Sequence, residues 1–418
     1  FFCSVAMEGA STVKVLTGVW NICGLDPAAI NQVDLVAVLK QWVDETLCDG
    51  ADLICAGLVE VIEIKALNVV RETLSEVRLS EALVPERLRK WLALLVGLLE
   101  ETHDLITEVT LVGLALFVFK AKSPSAPAFS LRKAQVFKTG FFGTMGNKGA
   151  VAVSLDVIFD AAKPPASLCV VHAHLASDPE QLGTRNGEYN TIVNAAKNSQ
   201  LISLAAINGE ENILDVLPHD LVIWMGDLNY RLDEPAQATR RAAERNVSNT
   251  IISAFAATPL ANVGWFSQNA AITAAGEANE AAKRATEAFD ARVRELVHQG
   301  DWAELARYDQ LDTARSRGDA FGGFQEAARH FVRMPSNQEG SEDPSPRQNP
   351  TLRQAPTYKL IRGTTEYVAK RRPAWCDRVL WRLAPSAHAR VEVVVYDALS
   401  DCVLSDHFPV RAALEWQL

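Results

Sequence analysis

The chain lacks several features that would settle its class at once. No apolar run approaches the ~20 residues a membrane-spanning helix needs; the longest in a helical context is "WLALLVGLL" at 91–99. The seven cysteines are scattered, and none forms a CxxC pair, which excludes the common zinc and dithiol frameworks. Buried, reduced thiols of a cytoplasmic protein are therefore expected. Basic charge is also scarce. Lys and Arg number 41 against 51 Asp and Glu, for a net charge of -10, which argues against bulk nucleic-acid binding. It does not exclude a local basic pocket for a small anion. There is no internal repeat, no Walker phosphate loop and no initiating Met. The chain opens on Phe1, so a monomeric domain of a longer protein is expected.

What is present is an ordinary globular composition, 48% hydrophobic and 22% charged. Strand-like segments recur: 12–20, 53–61, 108–120, 149–159, 167–175, 221–228, 378–383 and 390–398. Most are rich in β-branched residues and bounded by polar or turn residues. Helical patterns at 83–101 and 187–205 lie between them. The mixture predicts an α/β (α+β) domain with helices covering its sheets. Residues 1–418 read as one domain with insertions at 64–107, 234–300 and 333–354. The Ala-rich stretch 269–297 predicts a peripheral helix. The Pro-, Ser- and Asn-rich stretch 333–354 predicts a loop.

Polar residues recur where these strands end. Asn21 follows "VW", Glu60 sits in "GLVEV", and His172 and His174 close "LCVVHAHL". Asp227 and Asn229 close "VIWMGDLN", Asp377 lies in "PAWCDR", and Asp406 and His407 lie in "LSDHF". Each has a plain alternative. Asp227 could cap a turn, Glu60 could face solvent on an edge strand, and Asn21 could belong to a turn. His174 could be a satisfied core histidine, as His172 is expected to be, and Asp377 could pair with Arg378. Singly these alternatives win; six such strand ends together suggest a convergent site, because buried polar groups are costly unless paired or used. The chemistry that fits is metal-assisted hydrolysis of a phosphate ester. Glu60 and Asn21 are hard oxygen donors suited to Mg²⁺. Asp227 can orient the attacking water and accept its proton. Imidazoles and amides can hold phosphoryl oxygens. The glycine-rich "GTMGNKGAVAV" leads into a strand, so its glycines permit a turn, with Asn147 and Lys148 toward the substrate.

Taken in order, "GVWNICG", "GLVEV", "GFFGTMGNKGAVAVSL", "HAHLASDPEQLGTRNGEY", "WMGDLNYRL", "APTYKL", "RRPAWCDRVLW" and "LSDHFPV" resemble the inositol polyphosphate 5-phosphatases of the endonuclease/exonuclease/phosphatase superfamily. The pairing of "GDLNYR" with "PAWCDR" is the most specific part. The resemblance implies a four-layered α/β/β/α sandwich of two packed mixed sheets flanked by helices. It implies Asn21 and Glu60 on Mg²⁺ with Asp406 on the metal side, Asp227 activating water beside Asn229, and His174 and His407 on the scissile phosphate, with Asp377 orienting His407. It also implies Arg185 and Asn186 organising the phosphate site, Tyr358 and Lys359 contacting a 4-phosphate, and Lys370 or Arg371 joining them. Departures occur at Val59, His172–Ala173, Asp178 and Thr184, where the family has other residues.

The resulting expectation is a Mg²⁺-dependent phosphatase removing the 5-phosphate of phosphatidylinositol 4,5-bisphosphate or the 3,4,5-trisphosphate, or of soluble inositol phosphates. Water is expected to attack directly, on the reading that no cysteine is followed by Arg six positions on and so no Cys-x5-Arg loop exists. The partners expected are an inositide headgroup and a membrane surface touched peripherally from the cytosolic side, with no nucleic acid. A superfamily nuclease and a non-catalytic phosphoinositide-binding module are the alternatives.

Overall fold

Alternating apolar residues need a surface on each face of a strand, and here both faces are used. The computed structural model describes residues 11–48, 50–61, 74–139, 145–198, 212–234, 266–326, 354–385 and 389–418. One sheet runs in the order β11 (Arg390–Ala398), β12 (Val410–Gln417), β1 (Thr12–Asn21), β2 (Leu53–Val59), β4 (Leu114–Ala121), β3 (His103–Leu111). The other runs β5 (Ala128–Thr139), β6 (Met145–Ile158), β7 (Ala166–His174), β8 (Leu221–Asp227), β10 (Asp377–Leu383), β9 (Gln325–Glu326). Both are mixed: β1–β2 and β7–β8 are parallel, and the other pairs are antiparallel.

The inner faces pack on each other. Val13, Val15 and Val19 of β1 share one core with Leu168, Val170, Ile223, Met225 and Val379 of the second sheet. Outside the first sheet, Trp20 of β1 packs edge-on against Trp42 of α1 (Gln32–Trp42) and Trp91 of α2 (Leu74–Leu99), with ring centroids 6.1 and 5.8 Å apart. Outside the second sheet, Trp224 packs with Tyr189 of α3 (Leu182–Val193) and with Phe321. Helix, sheet, sheet, helix is the four-layered sandwich expected.

Some expectations change. The segment 108–120, read as one strand, is the end of β3 and most of β4, turned at Val112–Gly113, where Val112 has φ 46°. The described part of 64–107 is built into the first sheet and its cover, since α2 buries its own Trp91, Leu95 and Leu99 against that sheet and β3 forms the sheet edge. The Ala-rich segment forms α4 (Phe266–Gln299), whose last turns bury Phe289, Val293 and Leu296 against Leu232, Leu305 and Trp375. That spacing of four and three residues is one helix face, so this half of α4 is packed beside the site rather than peripheral. Residues 333–353 of the expected loop, 235–265 of the expected middle insertion and 199–205 of the expected second helix lie outside the described residues.

Candidate active site

Strand register brings the polar strand ends into one row. His174 on β7 pairs with Asp227 on β8, and Asp227 pairs with Asp377 on β10. Residues two apart share a face. Asp227 therefore continues the inner stripe of Leu221, Ile223 and Met225, and Asp377 continues that of Val379 and Trp381. Asn21 ends β1 in the same way, in step with Val13, Val15 and Val19. The site is the place where the inner faces of both sheets change from apolar to polar. Gly226 permits the close pairing just before Asp227. Its φ is 142°, and a Cβ there would lie 2.0 Å from the Ala173 carbonyl oxygen.

Within this space the Asn21 amide donates to Asp227 Oδ2 at 2.9 Å, and the Asn229 backbone N–H donates to Asp227 Oδ1 at 3.1 Å. Burial alone would raise the Asp227 carboxyl. The charge on His407, with His174, Lys148 and the Asn21 bond, brings it down to about 2. His174 Nε2 lies 3.8 Å from Glu60 Oε1 and 3.7 Å from Asp227 Oδ2, and also meets Lys148 Nζ. Burial and the Lys148 cation hold the His174 imidazole well below its usual range, so it is neutral. Burial likewise lowers the Lys148 ammonium. Glu60 adopts φ 54° and Asn229 φ 56°, left-handed conformations uncommon outside glycine.

His407 has the opposite protonation. Its Nδ1 donates to Asp377 Oδ2 at 2.8 Å, and the Thr357 hydroxyl donates to the same oxygen at 2.6 Å. Burial opposes the charge on His407, but Asp377, helped by Asp227 and Asp406, raises it to about 9. The site therefore holds one neutral and one charged imidazole. The strap carrying Thr357 pairs with the His407 segment: Tyr358 bridges His407, and Phe408 N–H donates to Thr357 O at 3.0 Å. The rings of Tyr358 and His407 are 4.6 Å apart, and Arg231 lies 4.2 Å over the Tyr358 ring.

The expected residues do not all face this space. His172 is a framework residue: its Nε2 meets Leu58 O at 3.2 Å, and a Cβ at Gly57 would strike its ring at 2.6 Å. Arg185, expected at the phosphate, is turned away from it. It is fully buried and donates to Ala176 O at 2.9 Å, Asp178 O at 2.7 Å and Gln310 Oε1 at 2.6 Å. Asn186 accepts from the Tyr230 hydroxyl at 2.7 Å. Arg185 braces the segment after His174 from behind, and Asn186 holds Tyr230 beyond the end of β8. Asp406 is paired with Lys359 at 2.6 Å, and Ser405 donates to Asn21 O at 2.7 Å. Lys370 and Arg371 are exposed on the rim. Asn147 lies in β6, but its side chain lies outside the described residues.

Three contributors were not singled out from the sequence. Arg231 donates to Asn229 Oδ1 and to Asn229 O, Thr357 holds Asp377, and Glu188 accepts from Ala176 N–H at 2.7 Å. Arg231 continues the two-residue step from Asp227 and Asn229, so that signal was available. The spacing Cys-x5-Arg does occur once, from Cys376 to Arg382, contrary to expectation. Six residues along an extended strand separate the two by about 20 Å. Burial pushes the Cys376 thiol up, and Arg382 donates to Leu217 O at 2.8 Å. They do not form a phosphate loop.

Among the described residues, two groups of His, Asp and Glu side chains have ligand atoms within 4.8 Å of one another: Glu60, His174 and Asp227, and Asp227, Asp377 and His407. In the second group, His407 is already the cation. The first offers two carboxylates and a neutral imidazole, and it is the group a divalent ion fits.

A two-sheet sandwich with this polar end belongs to a recognisable class. The chain is a member of the family described as Endonuclease/Exonuclease/phosphatase family 2, which matches residues 18–260 and 344–413. Among its relatives is synaptojanin of Caenorhabditis elegans, 25% identical over 419 residues, covering 97% of this chain and 28% of that protein. The type II inositol 1,4,5-trisphosphate 5-phosphatase of Mus musculus is 23% identical, covering 96% of this chain and 29% of that protein. The polyphosphatidylinositol phosphatase INP53 of Saccharomyces cerevisiae is 24% identical, covering 96% and 26%. The chain thus spans under a third of the length of these relatives. Among solved structures, the inositol polyphosphate 5-phosphatase domain of SPSynaptojanin, in complex with inositol (1,4)-bisphosphate and calcium, superposes with a TM-score of 0.59 at 21% identity, covering 98% of this chain and 85% of that one. A Cimex nitrophorin superposes with a TM-score of 0.53 at 16% identity, covering 97% and 99%. These two likenesses share the fold, and a fold alone does not decide function.

Proposed function

We propose that residues 1–418 form one catalytic domain, that of a Mg²⁺-dependent phosphatase that removes the 5-phosphate of phosphoinositides or soluble inositol polyphosphates. The reading rests on the meeting of Asn21, Glu60, His174, Asp227, Asp377 and His407 at one end of the sandwich. The names of the relatives agree with it. Glu60, within the group it forms with His174 and Asp227, and Asn21 beside it would hold the ion, which when bound neutralises phosphate charge and favours departure of the inositol oxygen.

The chain's own groups perform the rest. Asp227 is ionised and held on both oxygens, so it orients a water for in-line attack and accepts its proton. His407, kept charged by Asp377, donates through Nε2 to a phosphoryl oxygen and stabilises the charge that develops there. Lys148 beside neutral His174 supplies a second positive group, and Asn229, fixed by Arg231 and by its own bond to Leu175 O at 3.1 Å, limits where the phosphate can sit. Tyr358 and Lys359 would meet a neighbouring 4-phosphate. Among the described residues no helix is long and apolar enough to cross a membrane. Contact with lipid would be peripheral, at the cytosolic face, through the exposed basic rim of Lys370 and Arg371.

The test is phosphate release by purified protein with Mg²⁺ from a panel of lipid and soluble 5-phosphorylated inositides, with abasic DNA alongside. Release from an inositide and none from DNA is expected. No release from any inositide would refute the proposal.

A further inference from the structure

Strands β7, β8 and β10 lie side by side, and their pairing fixes His174, Asp227 and Asp377 to one another. Beyond the strand ends that support stops. A helix stands there, α5 (Gln310–Arg317), capped by Asp309. Gln310 is fully buried. Its Oε1 accepts from Arg185 at 2.6 Å and from the Arg231 backbone N–H at 3.0 Å. Its Nε2 donates to Asp233 Oδ1 at 2.6 Å and to Pro179 O at 3.2 Å. An amide offers two acceptor and two donor places, and all four are filled. A carboxylate here would set oxygen against Asp233 and Pro179 O. An apolar side chain would leave four partners unmatched, so the position calls for Gln.

Two of the four partners lie behind His174. Arg185 also holds Ala176 O and Asp178 O, and Pro179 follows directly. The other two lie beyond Asn229. The Arg231 side chain fixes Asn229, Gln310 N–H donates to Arg231 O at 2.9 Å, and Asp233 N–H donates to Tyr308 O at 2.7 Å. Asp309, the preceding residue, takes the third strand. Its Oδ1 accepts from Leu311 N–H at 2.9 Å and its Oδ2 from Arg378 at 2.7 Å. Arg378 follows Asp377 on β10 and so points to the other face of the sheet, where Glu326 of β9 accepts two more of its N–H groups. Two adjacent residues at one helix end thus hold three adjacent strand ends from behind.

We propose that Asp309 and Gln310 are positioning residues of this site: they tie the segments after His174 and Asn229 to each other and to the strand that begins at Asp377, and so set the spacing of the groups that face the phosphate. The proposal rests on the inositide phosphatase reading for what that spacing serves, but the tie itself can be observed without turnover. Both residues act through backbone and through Arg185, Arg231 and Arg378. A misplacement of about 1 Å among reacting groups can cost ~10²-fold in rate, so a support behind the site can govern kcat without meeting the substrate.

The experiment pairs hydrogen-exchange mass spectrometry with steady-state kinetics on inositol 1,4,5-trisphosphate and Mg²⁺. Gln310→Met keeps the volume and loses all four bonds. Amide exchange should rise about tenfold in 175–181 and 228–234 together, with β1 and β12 unchanged. In the same variant kcat should fall about 10- to 100-fold, with KM within about threefold. Asp309→Asn keeps an acceptor for Leu311 and loses the charge facing Arg378. Exchange should then rise around 374–380 rather than 175–181, with a smaller loss of kcat. Gln310→Glu should fail as Gln310→Met does, and adding Asp233→Asn, which turns the facing acceptor into a donor, should recover part of the loss. Exchange that rises evenly through the sandwich, a loss confined to KM, or no change in exchange and kcat would each overturn the positioning role. Local exchange that responds as stated, in a protein whose wild type releases no phosphate from any inositide, would reject the enzyme reading and keep the tie.

Discussion

The two ends of the sandwich both carry polar groups, yet only one is arranged for chemistry. The opposite end has a cavity of about 940 Å³, lined by Lys14, Asp52, His103 and Lys122 among others, against about 280 Å³ for a cleft beside the site. There the buried polar groups bind backbone and neighbouring side chains of the sheet end itself. Asp52 accepts from Lys14 N–H at 2.8 Å, and His103 meets Ala51 O at 2.9 Å and Thr102 Oγ1 at 3.0 Å. At the site end the charges face one another instead. His174 lies between Glu60 and Asp227 at 3.8 and 3.7 Å, and one oxygen of buried Asp377 has no hydrogen-bond partner among the described residues. Cavity size would choose the wrong end. Groups left facing each other, with ionisation shifted in opposite directions, choose the right one.

The largest effect expected is on Asp227. Asp227→Ala should lower kcat by ~10³ or more while leaving headgroup binding largely intact, measured by phosphate release and calorimetry. A variant with near-normal turnover would remove the proposed base.

Next is Asp377→Asn. His407 is raised above its usual value to about 9, so its paired form is fully present below about pH 6.5 and is lost as pH rises through about 9. The wild-type rate should therefore fall on the alkaline side near pH 9, and in the variant that limb should move toward neutrality. Breaking this buried pair should also cost about 3–5 kcal/mol of stability, read by denaturant titration. A limb that stays in place would show that another group sets it.

Lys359→Ala should impair substrates with a 4-phosphate by about tenfold more than those without one, seen in kcat/KM. Equal losses would detach Lys359 from that phosphate. The smallest effect should come from the other end. Asp52→Asn should cost about 1 kcal/mol of stability and leave kcat/KM unchanged.

Much of the site was legible because it obeys strand periodicity. Asp227, Asn21 and Asp377 continue apolar stripes by steps of two, so a polar residue at the end of each stripe stood out. What could not be read was partnership across the chain: Thr357 reaches Asp377 over 20 positions, and Ser405 reaches Asn21 over 384. Arg185 and Asn186 were read as organising the phosphate site, and their bonds go to framework partners on α3's own side, since a helix face is fixed by what it packs against. In the fold, β12 escaped notice because "VRAALEWQ" has helix-forming residues, and its membership in a sheet is set by β1 and β11. β5 escaped because its exposed face breaks the apolar run with Ser130, Arg132, Lys133 and Lys138.

The most direct measurement is phosphorus NMR of a reaction on inositol 1,4,5-trisphosphate or its lipid counterpart with Mg²⁺, comparing wild type with Asp227→Ala and Asp52→Asn. Loss of the 5-phosphate alone, abolished in Asp227→Ala and untouched in Asp52→Asn, is the result predicted. Loss from another ring position, or a reaction that survives Asp227→Ala, would contradict the assignment of this end of the sandwich to 5-phosphate hydrolysis.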